Sequence, residues 1–169
     1  MEVRVTMRGF RDGEMGGLQW SESMSVGIPA LDADHRCLVR IISLLEDVRE
    51  ETAGQIIDMV LDTLAVYCRY HFAREEQVMA GSGFPALSFH QSEHEGFARM
   101  VRRLRERHAV QSDAAMAQEL LDFLTGWLCH HILIQDMAYK PFAVEHWRGP
   151  ILPELPALSQ DFGMPAKLV

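Results

Sequence analysis

The sequence predicts an all-α protein: an antiparallel, up-down-up-down four-helix bundle with an N-terminal non-helical arm and a C-terminal Pro-rich extension. Three observations carry that expectation. The 169 residues are 48% hydrophobic and rich in Leu, Ala, Met and Glu, with few β-branched runs, which is a composition of good helix formers. Four stretches repeat apolar residues three and four apart, the period of one helix face. The breaks between them are short, and short connections make neighbouring helices antiparallel. A chain of this length is most simply one domain with a core of its own. We divide it into a leader at 1–17, the bundle at 18–140 and the extension at 141–169.

The leader carries four glycines and scattered charges without a period, and it reads as mobile or loosely packed. From Leu18 to Leu31 (LQWSESMSVGIPAL), Trp20, Val26, Ile28 and Leu31 alternate with Gly27 and Pro29. This is the pattern of an ordered, non-helical arm that lays apolar side chains across another element, anchored by Trp20. The first helix is expected from about Asp32 or Ala33 to about Glu51, with Leu38, Ile41, Ile42, Leu45 and Val48 as its apolar stripe. Continued backwards, that stripe reaches His35.

Thr52 followed by Gln55 has the spacing of a capping box and opens a second helix after a very short turn. Its inner face reads Ile56, Val60, Leu64, Tyr67 or Cys68, His71, Glu75 and Val78 or Met79. Gly81, Ser82, Gly83 and Pro85 then stop one helix and start the next. The third helix carries Leu87, His90, His94, Phe97, Val101 and Leu104 on one stripe, so both histidines face the core. After a polar turn at 110–112, a fourth helix from about Asp113 turns Ala117, Leu120, Leu124, Trp127, Leu128 and His131 inward. Pro141 should end or bend it. Pro150, Pro153, Pro156 and Pro165 punctuate a tail that still holds Trp147, Ile151 and Leu152, expected to form short turns docked on the bundle or on a partner protein. No solenoid repeat is visible.

The bulk properties narrow the partners. A net charge of −8 opposes nucleic acid or an anionic membrane as the main target, leaving a small molecule or a protein. No apolar run approaches the roughly 20 residues that span a bilayer, and the N-terminus lacks the apolar core of a signal peptide, so the expected location is cytoplasmic. Cys37, Cys68 and Cys129 are an odd set without framework spacing and read as reduced, mostly buried thiols.

The polar residues on the inward stripes are the informative ones. His71 with Glu75, and His90 with His94, are pairs four residues apart on either side of the Gly/Pro break, so each pair aims two side chains from one helix face at one point. In an antiparallel bundle, the starts of odd helices share an end with the ends of even helices. His35, His71, Glu75, His90, His94, His131 and Asp136 therefore converge at one end. An isolated buried polar group costs about 1–3 kcal/mol, so seven would gravely destabilise the bundle unless something compensates. Metal coordination does so. Imidazoles with carboxylates suit iron, manganese, zinc or copper, and the absence of thiolates at ligand spacing disfavours a structural zinc site. Seven donors exceed the needs of one ion, and two ions bridged by carboxylates is the economical arrangement. Asp136, five residues past His131, lies about 140° round an α-helix from it. That offset suits a bridge approached from the side, with Glu75 as the second bridge.

These residues resemble the hemerythrin family, specifically the bacterial hemerythrins with a non-haem di-iron site. The resemblance is carried by WSESMSVGIPALDADH (Trp20 to His35), HFAREEQVM (His71 to Met79), HQSEH (His90 to His94) and WLCHHILIQDMAY (Trp127 to Tyr139), in the right order with the right internal spacing. It implies two iron ions bridged by Glu75, Asp136 and an oxo/hydroxo group. His90, His94 and His131 would hold one iron, and His35 and His71 the other. It also implies that the iron with two histidines keeps an open position where dioxygen binds reversibly, in a pocket lined by Leu38, Phe72, Trp127, Leu128 and Ile132. Leu128 would cover the open position, and Tyr139, a turn beyond Asp136, would support the carboxylate.

Other polar residues read as bland. His130 lies about 100° off the core stripe and is expected to be partly exposed. His108 and His146 read as surface or loop histidines, and Glu76 as a solvated charge or ion-pair partner. A ferritin-like di-iron oxidase is disfavoured because no Glu-x-x-His pair falls on the inward stripes. The leading functional expectation is a non-enzymatic oxygen binder for storage, delivery or scavenging. Its alternatives are an oxygen or redox sensor acting through a partner protein, and a di-iron redox enzyme handling peroxide or nitric oxide.

Overall fold

The computed structural model describes residues 18–110 and 115–150. The expectations for the leader, for a helix start at Asp113 and for the tail beyond Pro150 lie outside the described residues. What is described is helical, with α1 at Pro29–Glu46, α2 at Ala53–Ser82, α3 at Leu87–Val110, α4 at Ala115–His130 and α5 at Met137–His146. A π-helical segment, His131–Asp136, joins α4 to α5 without a break. α2 packs on α1, α3 and α5, and α1 packs on α4, which gives the expected four-helix bundle.

The arm is more regular than its composition suggested. Glu22–Met24 forms one 3-10 turn, and α1 opens at Pro29 rather than at Asp32. Proline at the first helical position has its φ already set and gives up an N–H that would be unpaired in any case, while Ile28 before it is extended (φ −119°, ψ 108°). Asp32 turns back onto the arm, accepting hydrogen bonds from Ser25 Oγ at 2.7 Å and the Val26 N–H at 2.8 Å. Lys140 Nζ donates to the Ser25 carbonyl at 2.6 Å, tying the arm to α5. Trp20 packs half-buried on the main core, with the Arg36 guanidinium 4.5 Å from its ring centroid.

α1 stops at Glu46, and a 3-10 turn at Glu50–Thr52 leads into α2. The capping box is not formed. Thr52 has φ −110° and ψ −5°, away from the extended geometry an N-cap needs, and its hydroxyl donates to the Arg49 carbonyl instead. At its other end α2 terminates as expected. Gly83 adopts φ +72°, its N–H bonds the Ala80 carbonyl, and the Phe84 N–H bonds the Met79 carbonyl at 3.0 Å, the paired bonds of a Schellman motif.

Two further expectations are corrected. Of the two effects expected of Pro141, an end or a bend, the end does not occur: α5 runs on to His146, and the change of helical register falls upstream, at His131–Asp136. His108 is not a surface residue. It continues the α3 stripe four residues beyond Leu104, is buried, and places Nε2 3.0 Å from Asp58 Oδ1 on α2.

Two apolar clusters fill the interior. The larger runs along the bundle and includes Leu38, Ile42, Leu64, Tyr67, Phe97 and Leu128. The smaller closes the end where the arm, the end of α2 and α5 meet, around Val26, Leu31, Val78, Met79 and Tyr139. The polar residues lie between them. Among the described residues no helix is long and apolar enough to cross a membrane, and Cys37, Cys68 and Cys129 are free, the first buried and the others half-buried.

Candidate metal centre

His35, near the start of α1, faces His71 and Glu75, near the end of α2; His90 and His94 come from the start of α3. His131 and Asp136 stand at the two ends of the π-helical segment. All seven residues are buried, none more than 2% exposed. Their donor atoms fall into two groups: one ligand atom each from Glu75, His90, His94 and His131 lie within 4.8 Å of one another, as do those from His35, His71 and Glu75. Glu75 belongs to both.

Asp136 also faces both groups. Its Oδ2 lies 3.4 Å from His35 Nε2, while its Oδ1 lies 3.3 Å from His131 Nε2 and 3.5 Å from His90 Nε2. The 140° offset expected between His131 and Asp136 assumed α-helical geometry throughout. In the structure the intervening residues are π-helical, with backbone bonds closing from i to i+5, and a five-residue step then returns to nearly the same face. The widened turn therefore lets the two side chains meet.

The charge state of these groups follows from their crowding. Burial, then the neighbouring His71, holds His35 well below its ordinary range, and burial pushes His131 down to about 4. Burial also opposes charge on His71, but Glu75 and the bond to Asp34 overcome it and draw that imidazole up to about 9. Against its own burial, Glu75 is held low by His71 and the other imidazoles, whereas burial and the Glu75 charge drive Asp136 well above the usual carboxylate range. Burial opposes charge on His94 too, but Glu75 and Glu76 outweigh it and draw that imidazole up.

Among the described residues several polar atoms of the cluster have no hydrogen-bond partner: on its inner side His35 Nε2, His71 Nε2, Glu75 Oε2, His90 Nε2 and both oxygens of Asp136, and on the far side of their rings Nδ1 of His35 and His131. At about 1–3 kcal/mol for each buried orphan, the set would consume much of the roughly 5–15 kcal/mol that stabilises a domain. His94 Nε2 and His131 Nε2 face each other at 3.2 Å, an approach that suits two lone pairs directed at a shared cation. Nitrogen and oxygen donors without a thiolate fit iron, manganese, zinc or copper. Cations would turn the Nε2 and carboxylate orphans into ligands, with loss of the protons they carry, while Nδ1 of His35 and of His131 stands on the far side of its ring.

Behind this layer stands a second one that only partly shows in the sequence. Asp34 Oδ2 accepts from His71 Nδ1 at 3.0 Å and from Arg74 Nη2 at 2.6 Å, both buried. Glu76 Oε1 pairs with His94 Nδ1 at 2.9 Å, so its expected ion-pair role is aimed at the site itself, and Gln91 holds its other oxygen. Tyr139 Oη donates to Glu75 Oε1 at 2.6 Å. Carboxylates on the far ring nitrogen fix the tautomer and leave Nε2 free to bind. Asp34 and Arg74 were missed. Asp34 sits beside His35 on the chain and Arg74 one turn beyond His71, and a search for carboxylate partners next to each histidine would have raised them.

The remaining residues fall as follows. Leu38, Phe72, Leu128 and Ile132 are buried and Trp127 half-buried in the larger cluster. Phe72 stacks on His94 at 3.8 Å, and Trp127 stacks on His131 at 4.1 Å. His130 is exposed and touches Gln135, and His146 is exposed at the end of α5.

A family model described as the hemerythrin HHE cation binding domain matches residues 26–143. Bacteriohemerythrin of Stenotrophomonas maltophilia is 31% identical over 147 residues, covering 80% of this chain and 92% of that protein. Bacteriohemerythrin of Pseudomonas paraeruginosa is 33% identical over 132 residues, covering 78% and 84%. Myohemerythrin of Riftia pachyptila is 31% identical over 121 residues, covering 72% and 89%. The span of the family match includes every residue of the buried histidine–carboxylate cluster, and the chain belongs to the hemerythrin family.

Proposed function

We propose that this protein binds dioxygen reversibly at a centre of two non-haem irons, for storage, delivery or scavenging. The observation that carries the proposal is the sharing of both carboxylates, since Glu75 belongs to each donor group and Asp136 turns one oxygen to each. His90, His94 and His131 would hold one iron, His35 and His71 the other, with Glu75 and Asp136 between them. Bound there in reduced form, the two irons would supply the redox chemistry of reversible dioxygen binding.

The chain supplies orientation and dryness. Asp34 and Glu76 hold the far nitrogens of His71 and His94, and Tyr139 fixes Glu75. Leu38, Phe72, Leu128 and Ile132 exclude water on the core side, so that the electrons are returned rather than lost to solvent-assisted oxidation. Five imidazoles keep the site less anionic than a carboxylate-rich one, which favours reversible binding over oxidation of a substrate. One observation favours a sensor as the second reading. The Trp147 ring sits where a Cβ on Gly81 would clash, so the first residues of the C-terminal extension dock on the end of α2, next to the smaller cluster that contains Tyr139.

The deciding experiment is anaerobic reduction of iron-loaded protein followed by oxygen exposure, watched by visible absorption with iron assayed in the same sample. About two irons per chain and repeated cycling of an oxygen-dependent band are expected. One iron or none refutes the di-iron centre. Irreversible oxidation with steady consumption of peroxide or nitric oxide refutes reversible binding in favour of an enzyme.

A further inference from the structure

Tyr67 has no part in the site as described so far, yet it occupies the layer next to the histidines. The helices enter the core from the metal end in alternating directions, so the residues one turn deeper than the ligands are Leu38 on α1 (three after His35), Tyr67 on α2 (four before His71), Phe97 on α3 (three after His94) and Leu128 on α4 (three before His131). All four are buried in the larger cluster. Three of them present only carbon, and the fourth ends in a hydroxyl.

The Tyr67 ring lies nearly parallel to the His71 imidazole, 4.3 Å away and inclined 22°, with Phe72 edge-on at 5.4 Å. Both side chains leave the same face of α2, and the phenol is the longer of the two stacked side chains. Tyr67 is 0% exposed, and its hydroxyl has no hydrogen-bond partner among the described residues. A phenylalanine would fill the same space without stranding a polar group. A hydroxyl in this position is accounted for if something that is held at the site accepts from it.

We propose that Tyr67 Oη is the hydrogen-bond donor to a small electron-rich ligand, dioxygen or a small monoanion, held on the His35–His71 side of the centre. The proposal rests on the oxygen-binding reading above and adds to the apolar pocket one polar contact that discriminates among ligands. At neutral pH a phenol carries its proton and can donate it to an acceptor without transfer. Ligands that gain negative charge on binding are therefore retained more strongly than neutral ones that do not.

The test uses iron-loaded wild-type protein and Tyr67→Phe, with azide as the probe. Equal iron content is expected, with azide affinity about ten-fold weaker in the variant, the usual loss for a hydrogen bond to a charged acceptor. The infrared stretch of bound azide should shift between H2O and D2O in the wild type and not in Tyr67→Phe. In the iron-free proteins Tyr67→Phe should melt at the same or a higher temperature, since the hydroxyl it removes is unpaired. Affinity within two-fold at equal iron content overturns the proposal, and so does a clear fall in melting temperature, which would reveal a structural partner for the hydroxyl. If Tyr67→Phe fails to load iron, the wild-type isotope shift decides, and its absence overturns the proposal. Wild-type protein that takes up no iron overturns the oxygen-binding reading as a whole; wild type that loads and cycles, beside a Tyr67→Phe that binds azide equally well, overturns only the role of Tyr67.

Discussion

Arg74→Met tests whether the ion pair behind His71 holds the site together. Arg74 is 3% exposed, and its Nη2 lies 2.6 Å from Asp34 Oδ2, the same oxygen that receives His71 Nδ1. Removing one partner of a buried ion pair costs about 3–5 kcal/mol, because the other charge stays buried. Two features reduce that figure here. The Asp34 side chain keeps 9% exposure and its bond from His71, and the substitution also deletes Arg74 Nε, a buried donor without a partner among the described residues, whose removal returns about 1 kcal/mol. The net loss is about 2–3 kcal/mol, or about 5–10 °C in the melting temperature of a domain this size. Iron affinity should fall about ten-fold or more, because His71 loses the group that fixes its tautomer partner. Calorimetry of the iron-free protein and chelator competition with the loaded protein read the two effects separately. Arg105→Met is the control, since its pair with Asp62 is half-exposed on both sides and contributes no more than about 1 kcal/mol. If Arg74→Met melts within about 2 °C of wild type and holds iron equally well, the pair does no more than a surface one, and the reasoning from burial is wrong.

Three further outcomes are expected. His94→Ala should lose most of its bound iron and melt lower without it, because Glu76 is left without its imidazole partner; an unchanged metal content by elemental analysis contradicts its assignment as a ligand. Leu128→Ala should cost about 2–5 kcal/mol as a cavity in the larger cluster and should speed oxidation of the oxygen-loaded protein several-fold by admitting water, and an unchanged decay of the visible band shows that Leu128 does not guard the pocket. Burial pushes the Cys68 thiol up to about 12, so at pH 8 only about one part in ten thousand is thiolate. Its alkylation should therefore lag far behind that of a free thiol and accelerate as the pH rises through 10 and 11, and mass-spectrometric labelling at a free-thiol rate refutes that degree of burial.

The bundle was legible because its polar residues fall on its apolar stripes. His71 to Glu75 and His90 to His94 are four apart, as are Leu104 and His108, and the same period that buries the leucines buries the imidazoles. What escaped the sequence depends on backbone geometry or on residues beside a stripe. Nothing in HILIQD announces a π-helical turn, so α-helical arithmetic placed Asp136 about 140° from His131, and the expectation of a bridge was drawn from that offset rather than from the face the two residues share. Asp34, Arg74 and Glu76 sit next to the stripes, where charged residues are normally solvated. They are drawn inward because each finds a partner on another helix, which a single-helix pattern cannot display. Thr52 shows the reverse error, a capping sequence whose backbone entered a 3-10 turn instead.

The π-helical segment sets the phase of everything after it. An α-helix that gains a residue in one turn rotates its continuation by about 100° relative to the uninterrupted course. The side chains up to His131 and those from Asp136 onward therefore follow two different angular frames within one rod. Tyr139, which reaches Glu75, Lys140, which holds the arm, and Trp147, which rests on Gly81, all depend on the second frame. Deleting a single residue between Ile132 and Gln135 would leave composition and helical propensity almost untouched while turning all three contacts away from their targets. The inserted residue thus acts as a gear between the two halves of the last helix, meshing Asp136, the arm and Trp147 as one unit.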